Sequence, residues 1–549
     1  MSKQELCDNF YNIDNLVTIS LTIPDSDWQA LKNAEPRGGR CNFSYTGDRY
    51  DWFKATSVTV SGTKFPKQGT FSNIGLIKKS YCGSFSTSKP SLRLDFSKYV
   101  KENEDAIEAL IGTKVLTLNN SKQDSSYVRQ PLGYELFRQA GLPYPRCNFA
   151  KVVVNGTTLG VYVNLEPFKK RFYQHNFAGN DKGNAYELEV GEDLDTAVIN
   201  SGRISFEGLS QYEDMKDIKL AASQIASGGL AAAQQVIDWD QFLRFFAMES
   251  LLKHWDGYTQ NTNNTYIYND TVAVANPAVV NVKLKFIPSG IDQIMQEGRD
   301  FEIGGKSVLA GLVRSDQFER AKLFKVIRDF ANTIFNTENH DKVLTPLIGR
   351  MEALLTTAGG VSPAGLSGPI GVVRKQLKLV KSGAYQLIGE MPTESMLLLS
   401  KSTGDCIHAS NSEFIGSVPT PTSPQEVYHC PPTGALADSW TALPGSHGFT
   451  KFKNRAYGTW LHCDANVKTP SGKLNVYAAR NDPDTGNEFT VLPTGVQSAE
   501  AWHASGYFAL KSKVTGQFVY FSETDLTPKG RKEVHQIGTE AGERAMFLF

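Results

Sequence analysis

The sequence predicts an α+β protein: mostly strands at first, mostly helices in the middle, and an all-β part at the end. Alternating apolar residues run through residues 15–96, and helical apolar periodicity runs through residues 239–388. Three similar segments of about fifty residues each then follow. Because 549 residues are too many for a single hydrophobic core, we expect two domains, residues 1–391 and residues 394–549.

Composition and charge narrow the class of protein. Hydrophobic residues make up 40% and aromatic residues 11% of the chain, which is typical of a soluble globular protein. Basic and acidic residues both number 57, so no net charge attracts nucleic acid. No apolar run reaches the ~18 residues of a membrane span, so none is expected.

Two observations bear on the compartment. The first residues, MSKQELCDNF, lack the basic stretch and apolar core of a secretory signal. The cysteines number 7 and are scattered without a CxxC pair, which argues against a zinc site and favours free thiols in a reducing compartment. The compartment stays open between the cytoplasm and release by a non-classical route.

The strands of the first part carry basic side chains. LVTISLTI, TSVTVSG, SNIGLIKKSY and SLRLDFSKY alternate apolar and polar residues, which predicts a sheet with one solvent-exposed face. Lys79, Lys89 and Arg93 lie on or beside these strands. A basic side chain on a strand can bind phosphate, although most such side chains are only solvated.

A helix and a hairpin follow. Asp124 to Ser126 can cap a helix that contains Arg129, whose simplest role is a surface ion pair. Asn155-Gly156, between AKVVV and TTLGVYV, predicts a two-residue hairpin that ends near Glu166. A glutamate at a strand end is ordinarily solvated.

Polar residues cluster where the helix predicted over residues 239–253 ends. HWDGYTQNTNNTYIYND begins at His254, and FIPSGIDQIM follows after a predicted strand. Asp256, Asn264 and Asp292 offer oxygen ligands that suit Mg²⁺, and phosphoryl transfer uses such a set. The alternative is that these residues only form turns. We expect His254 to be a packed or hydrogen-bonded structural residue.

These segments resemble the signature of the CotH-type (spore coat protein H) atypical protein kinases. That signature is DGY…NxYxY followed by P-W-D-x-D-Q or P-W-G-x-D-Q, and here DGY begins at Asp256, NTYIY at Asn264 and PSGIDQ at Pro288. GLIKKS and SKPSLRLDF are similar to two basic strands of the family, R-x-K-G and K-K-S-F-K-x-K-F. Residues 114–168 are similar to its strand, D-x-s-y-x-R helix start and hairpin.

The resemblance implies a two-lobed, atypical protein-kinase-like domain, with a β-rich lobe at about residues 14–170 and a helical lobe at about residues 205–391. It implies an ATP-dependent kinase that phosphorylates a protein substrate, with Asp256 catalytic and Asn264 and Asp292 holding Mg²⁺ or Mn²⁺. The side chains that it implies for binding ATP are Lys79, Lys89, Arg93, Arg129 and Glu166. Two alternatives remain: a non-catalytic nucleotide-binding adaptor or toxin, and a carbohydrate-active enzyme with a lectin module.

The last part of the chain repeats itself. LSKSTGDCIH, KNRAYGTWLH and KSKVTGQFVY align, and SWTALP, EFTVLP and MFLF close the three units. Units too small to bury their own cores predict a three-fold β-trefoil over residues 394–549. This part resembles the fascin-like and ricin-type trefoils, although the Gln-x-Trp motif of the ricin lectins is absent. By analogy of fold, we expect it to bind a glycan or a host or cytoskeletal protein.

Overall fold

Seven strands near the N-terminus close into a barrel in a computed structural model of the chain. They are β1 (Leu16–Thr22), β2 (Phe53–Gly62), β3 (Phe65–Lys78), β4 (Leu92–Asp95), β5 (Val115–Asn119), β6 (Cys147–Val154) and β7 (Thr157–Leu165). Their order is β1-β2-β3-β4-β5-β7-β6, and a parallel pairing of β1 with β6 closes the ring. Alternate side chains such as Leu92 and Leu94 fill the interior. The sequence predicted a sheet with one solvent-exposed face. The structure differs because the long-range β1–β6 pairing closes this sheet into a barrel.

The predicted hairpin is confirmed between β6 and β7. Asn155 and Gly156 form its turn, with φ angles of 48° and 78°. Positive φ at both central residues is the requirement of the type I′ turn, which Asn-Gly satisfies at little cost.

A second sheet and the helices complete this part of the chain. The sheet has the order β11-β10-β8-β9, from β8 (Asn184–Leu188), β9 (Ser205–Phe206), β10 (Thr265–Asn269) and β11 (Leu284–Pro288). The helices are α1 (Lys3–Phe10), α2 (Asp25–Asn33), α3 (Asn103–Ile111), α4 (Arg129–Gln139), α5 (Lys170–Asn176), α6 (Thr196–Asn200), α7 (Lys216–Val236), α8 (Trp239–Leu251), α9 (Tyr258–Asn261), α10 (Val308–Ser315), α11 (Gln317–Thr333), α12 (Thr337–Asn339), α13 (Thr345–Ala358) and α14 (Pro363–Ile388). Helices α8, α11, α13 and α14 lie where the apolar periodicity predicts helices. The N-terminal part is therefore a mixed α+β region.

The C-terminal part is an all-β domain, as predicted. Its strands are β12 (Phe301–Glu302), β13 (Ser395–Leu397), β14 (Leu399–Ser400), β15 (Cys406–Glu413), β16 (Gln425–Cys430), β17 (Ser439–Pro444), β18 (Thr450–Asn454), β19 (Trp460–Lys468), β20 (Leu474–Ala479), β21 (Phe489–Pro493), β22 (His503–Ala504), β23 (Phe508–Ser512), β24 (Phe518–Leu526), β25 (Lys532–Ile537) and β26 (Phe547–Leu548). The aromatic residues that close the three sequence repeats, Trp440, Phe489 and Phe547, are fully buried in one core. Most of these strands join one 13-stranded sheet.

Contacts divide the chain into two units. The first is Met1–Arg299 with Ile303–Lys378, and the second is Asp300–Glu302 with Leu379–Phe549, so α14 contributes residues to both. The structure describes residues 1–45, 47–178, 180–202, 204–206, 215–270, 280–359, 361–392, 395–413, 424–446, 449–480, 485–493, 503–527, 529–538 and 542–548. The predicted domain boundary at 391–394 includes residues 393 and 394, which lie outside those ranges.

A disulfide joins Cys41 to Cys82. The expectation that all cysteines are free thiols is therefore wrong for this pair, because two cysteines far apart in sequence carry no local spacing signal. Cys7, Cys147, Cys406, Cys430 and Cys463 are free, in agreement with that expectation. Among the described residues, no helix is both long and apolar enough to span a membrane, as the sequence predicts.

Candidate functional site

The site begins at a buried carboxylate near the end of α8. Glu249 is fully buried, and its Oε1 lies 3.1 Å from His254 Nδ1. The same carboxylate accepts the backbone N–H groups of Tyr258, at 3.1 Å, and Thr259, at 2.8 Å. Because these are the first two residues of α9, Glu249 caps that helix and fixes the loop between α8 and α9. His254, 1% exposed, is the hydrogen-bonded structural residue that we expected.

Gly257 permits this close approach. A Cβ atom at Gly257 would lie 2.2 Å from Glu249 Oε1 and 2.5 Å from His254 Nδ1. A side chain there would displace the carboxylate that holds the loop. The glycine of the DGY segment is therefore explained by packing.

The aromatic residues of the motif also have structural roles. Tyr258 is fully buried, and its hydroxyl donates to Asp193 Oδ1 at 2.7 Å. Tyr266 stacks on Phe168, with ring centroids 4.3 Å apart. These contacts hold the loop and β10 in place, which leaves the polar residues of the motif to carry chemistry.

Asp256 and Asn264 meet directly. Asn264 donates through Nδ2 to Asp256 Oδ2 at 3.0 Å and to the Asp256 backbone carbonyl at 2.9 Å. Asn261 Nδ2 donates to the other carboxylate oxygen of Asp256 at 2.8 Å. Both Asp256 and Asn264 are partly exposed. The carboxylate is thus oriented by two amides and still reached by solvent, as a group that contacts a substrate hydroxyl requires.

The strand pair β10–β11 brings the next segment to this point. Thr265 lies opposite Pro288, and Ser289 N–H donates to the Asn264 carbonyl at 3.1 Å. Gly290, with φ 56°, then packs so closely that a Cβ atom would lie 2.1 Å from Asn264 Oδ1. The amide oxygen of Asn264 therefore faces the segment that carries Asp292.

Asp292 lies two residues later, in a short 3₁₀ helix, Ile291–Gln293. Burial, reinforced by the negative charge of Asp124, raises the pKa of Asp292 to about 6. Asn119 Nδ2, 3.5 Å from Asp292 Oδ2, and His254 oppose this rise. Asp292 is partly exposed, and a carboxylate that lies beside a second acid is stabilised by a cation. This observation fits a divalent metal ion on Asp292, with the Asn264 amide oxygen as a neutral ligand.

Arg129 holds the Asp292 segment from α4. Its Nη1 lies 2.5 Å from Asp124 Oδ1, and its Nε donates to the Ile294 carbonyl at 2.8 Å. The Arg129 N–H also donates to Asp124 Oδ2 at 3.0 Å, so Asp124 satisfies the first N–H group of α4, although the N-cap residue is Val128 and not one of the predicted residues 124–126. Arg129 is only 8% exposed. Arg129 therefore contacts the Asp292 segment through the Ile294 carbonyl, and its pair with Asp124 is not the surface ion pair of the simplest prediction.

The two predicted lysines have different surroundings. Lys79 is exposed, whereas its neighbour Lys78 is buried and donates through Nζ to the carbonyls of Lys32 and Ala34. Lys89 Nζ donates to the Val161 carbonyl at 2.5 Å and to the Tyr127 hydroxyl at 3.0 Å. Burial lowers the pKa of Lys89 to about 8.

Lys89 also lies at the same end of the barrel as Asp292. Asn120 Nδ2 donates to the Lys89 carbonyl at 2.9 Å, and Asn119, at the end of β5, contacts Asp292. A partly buried ammonium group with a lowered pKa is stabilised by an anion. Lys89 is thus better placed than Lys79 to bind phosphate.

Arg93 and Glu166 lie elsewhere on the barrel. Arg93 is partly buried on β4, between Leu92 and Leu94 of the core, and its Nε has no hydrogen-bond partner among the described residues. Glu166 is 1% exposed and lies 3.4 Å from Arg146 Nη1. Burial raises the pKa of Glu166 to about 7.

Glu166 does not pair with either predicted lysine. Lys89 contacts β7 at Val161, five residues before Glu166, which corresponds to about 16 Å along a strand. Glu166 instead pairs with Arg146. The predicted hairpin brings these two residues together, because Arg146 and Glu166 adjoin the paired residues Cys147 and Leu165 at the open end of β6–β7.

The structure thus gathers Asp256, Asn264 and the Asp292 segment, and places Lys89 at the same end of the barrel. Sequence reasoning missed Glu249, Asn119 and the charge of Asp124 beside Asp292. Glu249 could have been found, because it is an acid inside the apolar run FFAMESLL and acids are rarely buried without a role.

Comparisons with known proteins bear on this region of the chain. The family profile described as "CotH: CotH kinase protein" matches residues 80–343, which contain Asp256, Asn264, Asp292 and Lys89 but not Lys79. Residues 80–343 are a CotH family domain. The polar loop, the strand pair and the Asp292 segment all fall within it.

Individual relatives of the CotH domain are distant. The chain is 35% identical over 69 residues to the inner spore coat protein H-like protein of Bacillus subtilis, 12% of this chain and 22% of that protein. It is 23% identical over 163 residues to inner spore coat protein H of the same organism, 27% of this chain and 44% of the relative. It is 24% identical over 166 residues to invasin CotH7 of Rhizopus delemar, 28% of this chain and 27% of the relative. The chain therefore matches less than half of each relative's length.

Solved structures add no argument about fold. The SDF2-like protein from Arabidopsis thaliana is 18% identical, with 28% of this chain and 90% of that chain covered and a TM-score of 0.24. The designed three-fold symmetric protein ThreeFoil is 14% identical, with 28% and 96% covered and a TM-score of 0.22.

Proposed function

We propose that the CotH domain is an atypical protein kinase that transfers the γ-phosphate of ATP to a hydroxyl of a protein substrate. The observation that carries the proposal is the hydrogen-bonded Asp256–Asn264 pair, which the strand pair β10–β11 joins to the segment of Asp292. A carboxylate for the hydroxyl, and an amide and a second carboxylate for metal, are the parts that phosphoryl transfer needs.

Each residue has a distinct role in this proposal. Asp256, held by the amides of Asn261 and Asn264, orients the substrate hydroxyl and accepts its proton. Asn264 and Asp292 would hold Mg²⁺ or Mn²⁺, which neutralises charge on the phosphates when bound. Lys89 contributes positive charge at the same end of the barrel. Arg129 and Glu249 position these groups without contacting the reactants.

The raised pKa of Asp292 favours the metal role. With its pKa raised to about 6, Asp292 is close to partial protonation at neutral pH, and its charge is poorly stabilised by the protein alone. A divalent ion would supply the missing positive charge and displace any proton. Metal affinity should therefore weaken as the pH falls below about 6.

The experiment is phosphate transfer from ATP labelled at the γ position. The full chain is incubated with Mg²⁺ or Mn²⁺, alone and with protein acceptors, beside the variants Asp256→Asn and Asp292→Asn. We expect metal-dependent incorporation of label that falls at least about 100-fold in both variants. Nucleotide binding without transfer would instead support a non-catalytic adaptor. Label transfer that is unaffected by Asp256→Asn would contradict the assignment.

We further propose that the all-β domain is a trefoil that binds a glycan or a protein and brings the kinase to its substrate. The hairpins β15–β16, β19–β20 and β24–β25 pair their strands at equivalent positions of the three repeats. The three closing aromatic residues meet in one core. Such three-fold repetition is what a trefoil requires. A glycan array and affinity capture of proteins, both with the full chain, test this proposal. An absence of specific binding in both assays would contradict it.

A further inference from the structure

The three hairpins of the all-β domain each place one histidine opposite one tyrosine, but the third hairpin exchanges them. The pairs are, in chain order, His408–Tyr428, His462–Tyr477 and Tyr520–His535. Their ring centroids lie 4.8, 4.7 and 5.2 Å apart. In the first two hairpins the histidine lies on the first strand of the pair. In the third hairpin it lies on the second strand.

The reason for the exchange lies in the residue that receives the histidine proton. His408 Nδ1 lies 2.6 Å from Asp438 Oδ1, and His462 Nδ1 lies 2.8 Å from Asn487 Oδ1. Each acceptor stands two residues before the closing aromatic residue of its repeat. In the third repeat that position is Ala545, which has no acceptor on its side chain.

His535 therefore faces a different set of groups. Its Nδ1 lies 3.5 Å from Glu533 Oε2 and 3.9 Å from Asp525 Oδ2, and the three ligand atoms lie within 4.8 Å of one another. The corresponding tyrosine of the second hairpin, Tyr477, instead donates to Asp464 Oδ2 at 3.2 Å. At this position the second hairpin has a tyrosine–aspartate hydrogen bond. The third hairpin has an imidazole and two carboxylates.

Several atoms of this cluster have unmet hydrogen-bonding capacity. His535 is 1% exposed and Glu533 is 2% exposed. Within the described part of the chain, His535 Nδ1 and Glu533 Oε1 have no hydrogen-bond partner, and neither has Nδ2 of Asn475, which lies opposite His535. Buried polar atoms without partners are rare in proteins and commonly mark a bound ion or water.

The geometry fits a metal ion. Ligand atoms around tetrahedral Zn²⁺, bound at about 2.0–2.1 Å, lie about 3.4 Å apart, which is close to the separations measured from His535 Nδ1. Ser471 Oγ donates to Glu533 Oε2, and Ser522 Oγ donates to Asp525 Oδ2, each at 2.9 Å. Such hydrogen bonds hold ligating carboxylates in orientation.

A second cluster of metal-ligand type, Cys406, Cys430 and Asp438, is less suitable. Asp438 Oδ1 is bonded to His408, and Asp438 Oδ2 accepts from the N–H and the hydroxyl of Thr433 at 2.7 and 2.8 Å. Its carboxylate is thus already satisfied, which distinguishes it from Glu533.

We propose that Asp525, Glu533 and His535 bind a divalent transition metal ion of the Zn²⁺ type. One imidazole nitrogen and two carboxylate oxygens suit Zn²⁺ better than Ca²⁺, which takes six to eight oxygen ligands. Asp525 lies on β24 and the other two ligands on β25, so the ion fastens the two strands of the third hairpin. The site lies outside the CotH domain and does not depend on its proposed activity.

The test is calorimetric titration of the chelator-treated full chain with Zn²⁺. We expect one ion bound at this site, and loss of at least about 100-fold in affinity in His535→Tyr. This variant carries the residue that the other two hairpins have at the same position, so it is expected to fold, and circular dichroism checks that. Asp525→Asn is a second variant, expected to weaken binding in the same direction.

The matched control is Cys406→Ser with Cys430→Ser, which removes the competing cluster and should leave the affinity unchanged. Co²⁺ provides a spectroscopic reading: a site without cysteine gives no thiolate charge-transfer band. Zn²⁺ should also raise the thermal midpoint of the wild type and not that of His535→Tyr. Unchanged Zn²⁺ affinity in His535→Tyr, loss of binding in the cysteine variant, or no binding by the wild type would each overturn the proposal.

Discussion

Substituting Gly290 by alanine tests whether the packing of Gly290 against Asn264 builds the site. A Cβ atom at position 290 would lie 2.1 Å from Asn264 Oδ1 and 2.5 Å from Asn264 Cγ, so the amide must move. Moving it breaks the hydrogen bonds from Asn264 Nδ2 to Asp256. Gly290→Ala should therefore both destabilise the first unit and disturb the proposed metal site.

The expected loss in the free energy of unfolding of Gly290→Ala has two parts. Alanine at φ 56° costs about 1–2 kcal/mol because L-residues disfavour left-handed backbone. The lost Asn264 hydrogen bonds, one of them to a carboxylate, add about 2–3 kcal/mol. Gly298 is the matched control, since its φ is 78° and a Cβ atom there would meet nothing within 4 Å. Gly298→Ala should cost only the first part, about 1–2 kcal/mol.

The measurement is urea denaturation of both variants, together with the γ-phosphate transfer assay. Gly290→Ala should unfold at clearly lower urea concentration than Gly298→Ala, and only Gly290→Ala should lose metal-dependent transfer. Equal stability losses in the two variants, with equal activities, would refute the claim that Gly290 is required by its contact with Asn264.

Three further predictions concern Glu249, Asp292 and the Cys41–Cys82 disulfide. Glu249→Ala leaves the N–H groups of Tyr258 and Thr259 unsatisfied, so urea denaturation should show a loss of about 3 kcal/mol, with a smaller loss in Glu249→Gln. Asp292, with its folded pKa raised to about 6, binds more protons when folded than when unfolded, so stability should fall as pH rises from about 4 to 6. Asp292→Asn should remove that slope and stabilise the protein at pH 7, and equal slopes would contradict the assignment. Thiol titration in denaturant should count 5 thiols before reduction and 7 after, given the Cys41–Cys82 disulfide, and 7 before reduction would contradict the pairing.

The sequence predicted those parts of the site that depend on local spacing. Asp256 and Asn264 are close in sequence, and the strand predicted before Asp292 is β11. The buried, hydrogen-bonded state of His254 was also expected. In each case, short-range geometry limits where the side chains can lie. The strand β10 and its pairing with β11 were not predicted.

Long-range pairing could not be predicted from the pattern. Strand alternation shows that Lys78 and Lys79 point to opposite faces, but only the barrel closure decides that Lys78 is the buried one. The Cys41–Cys82 disulfide likewise joins segments whose proximity depends on the whole fold. The three repeats of the all-β part were visible in the sequence because each repeat carries its own turn and closing aromatic residue.

Metal-dependent binding of a non-hydrolysable ATP analogue tests the proposed site most directly. Mn²⁺ is titrated into the full chain with the analogue, and bound Mn²⁺ is followed by electron paramagnetic resonance in the wild type and in Asp292→Asn. The proposed site predicts that nucleotide and Mn²⁺ strengthen each other's binding in the wild type, and that Asp292→Asn weakens this binding at least about 10-fold. Equal Mn²⁺–nucleotide affinity in the two proteins would contradict it.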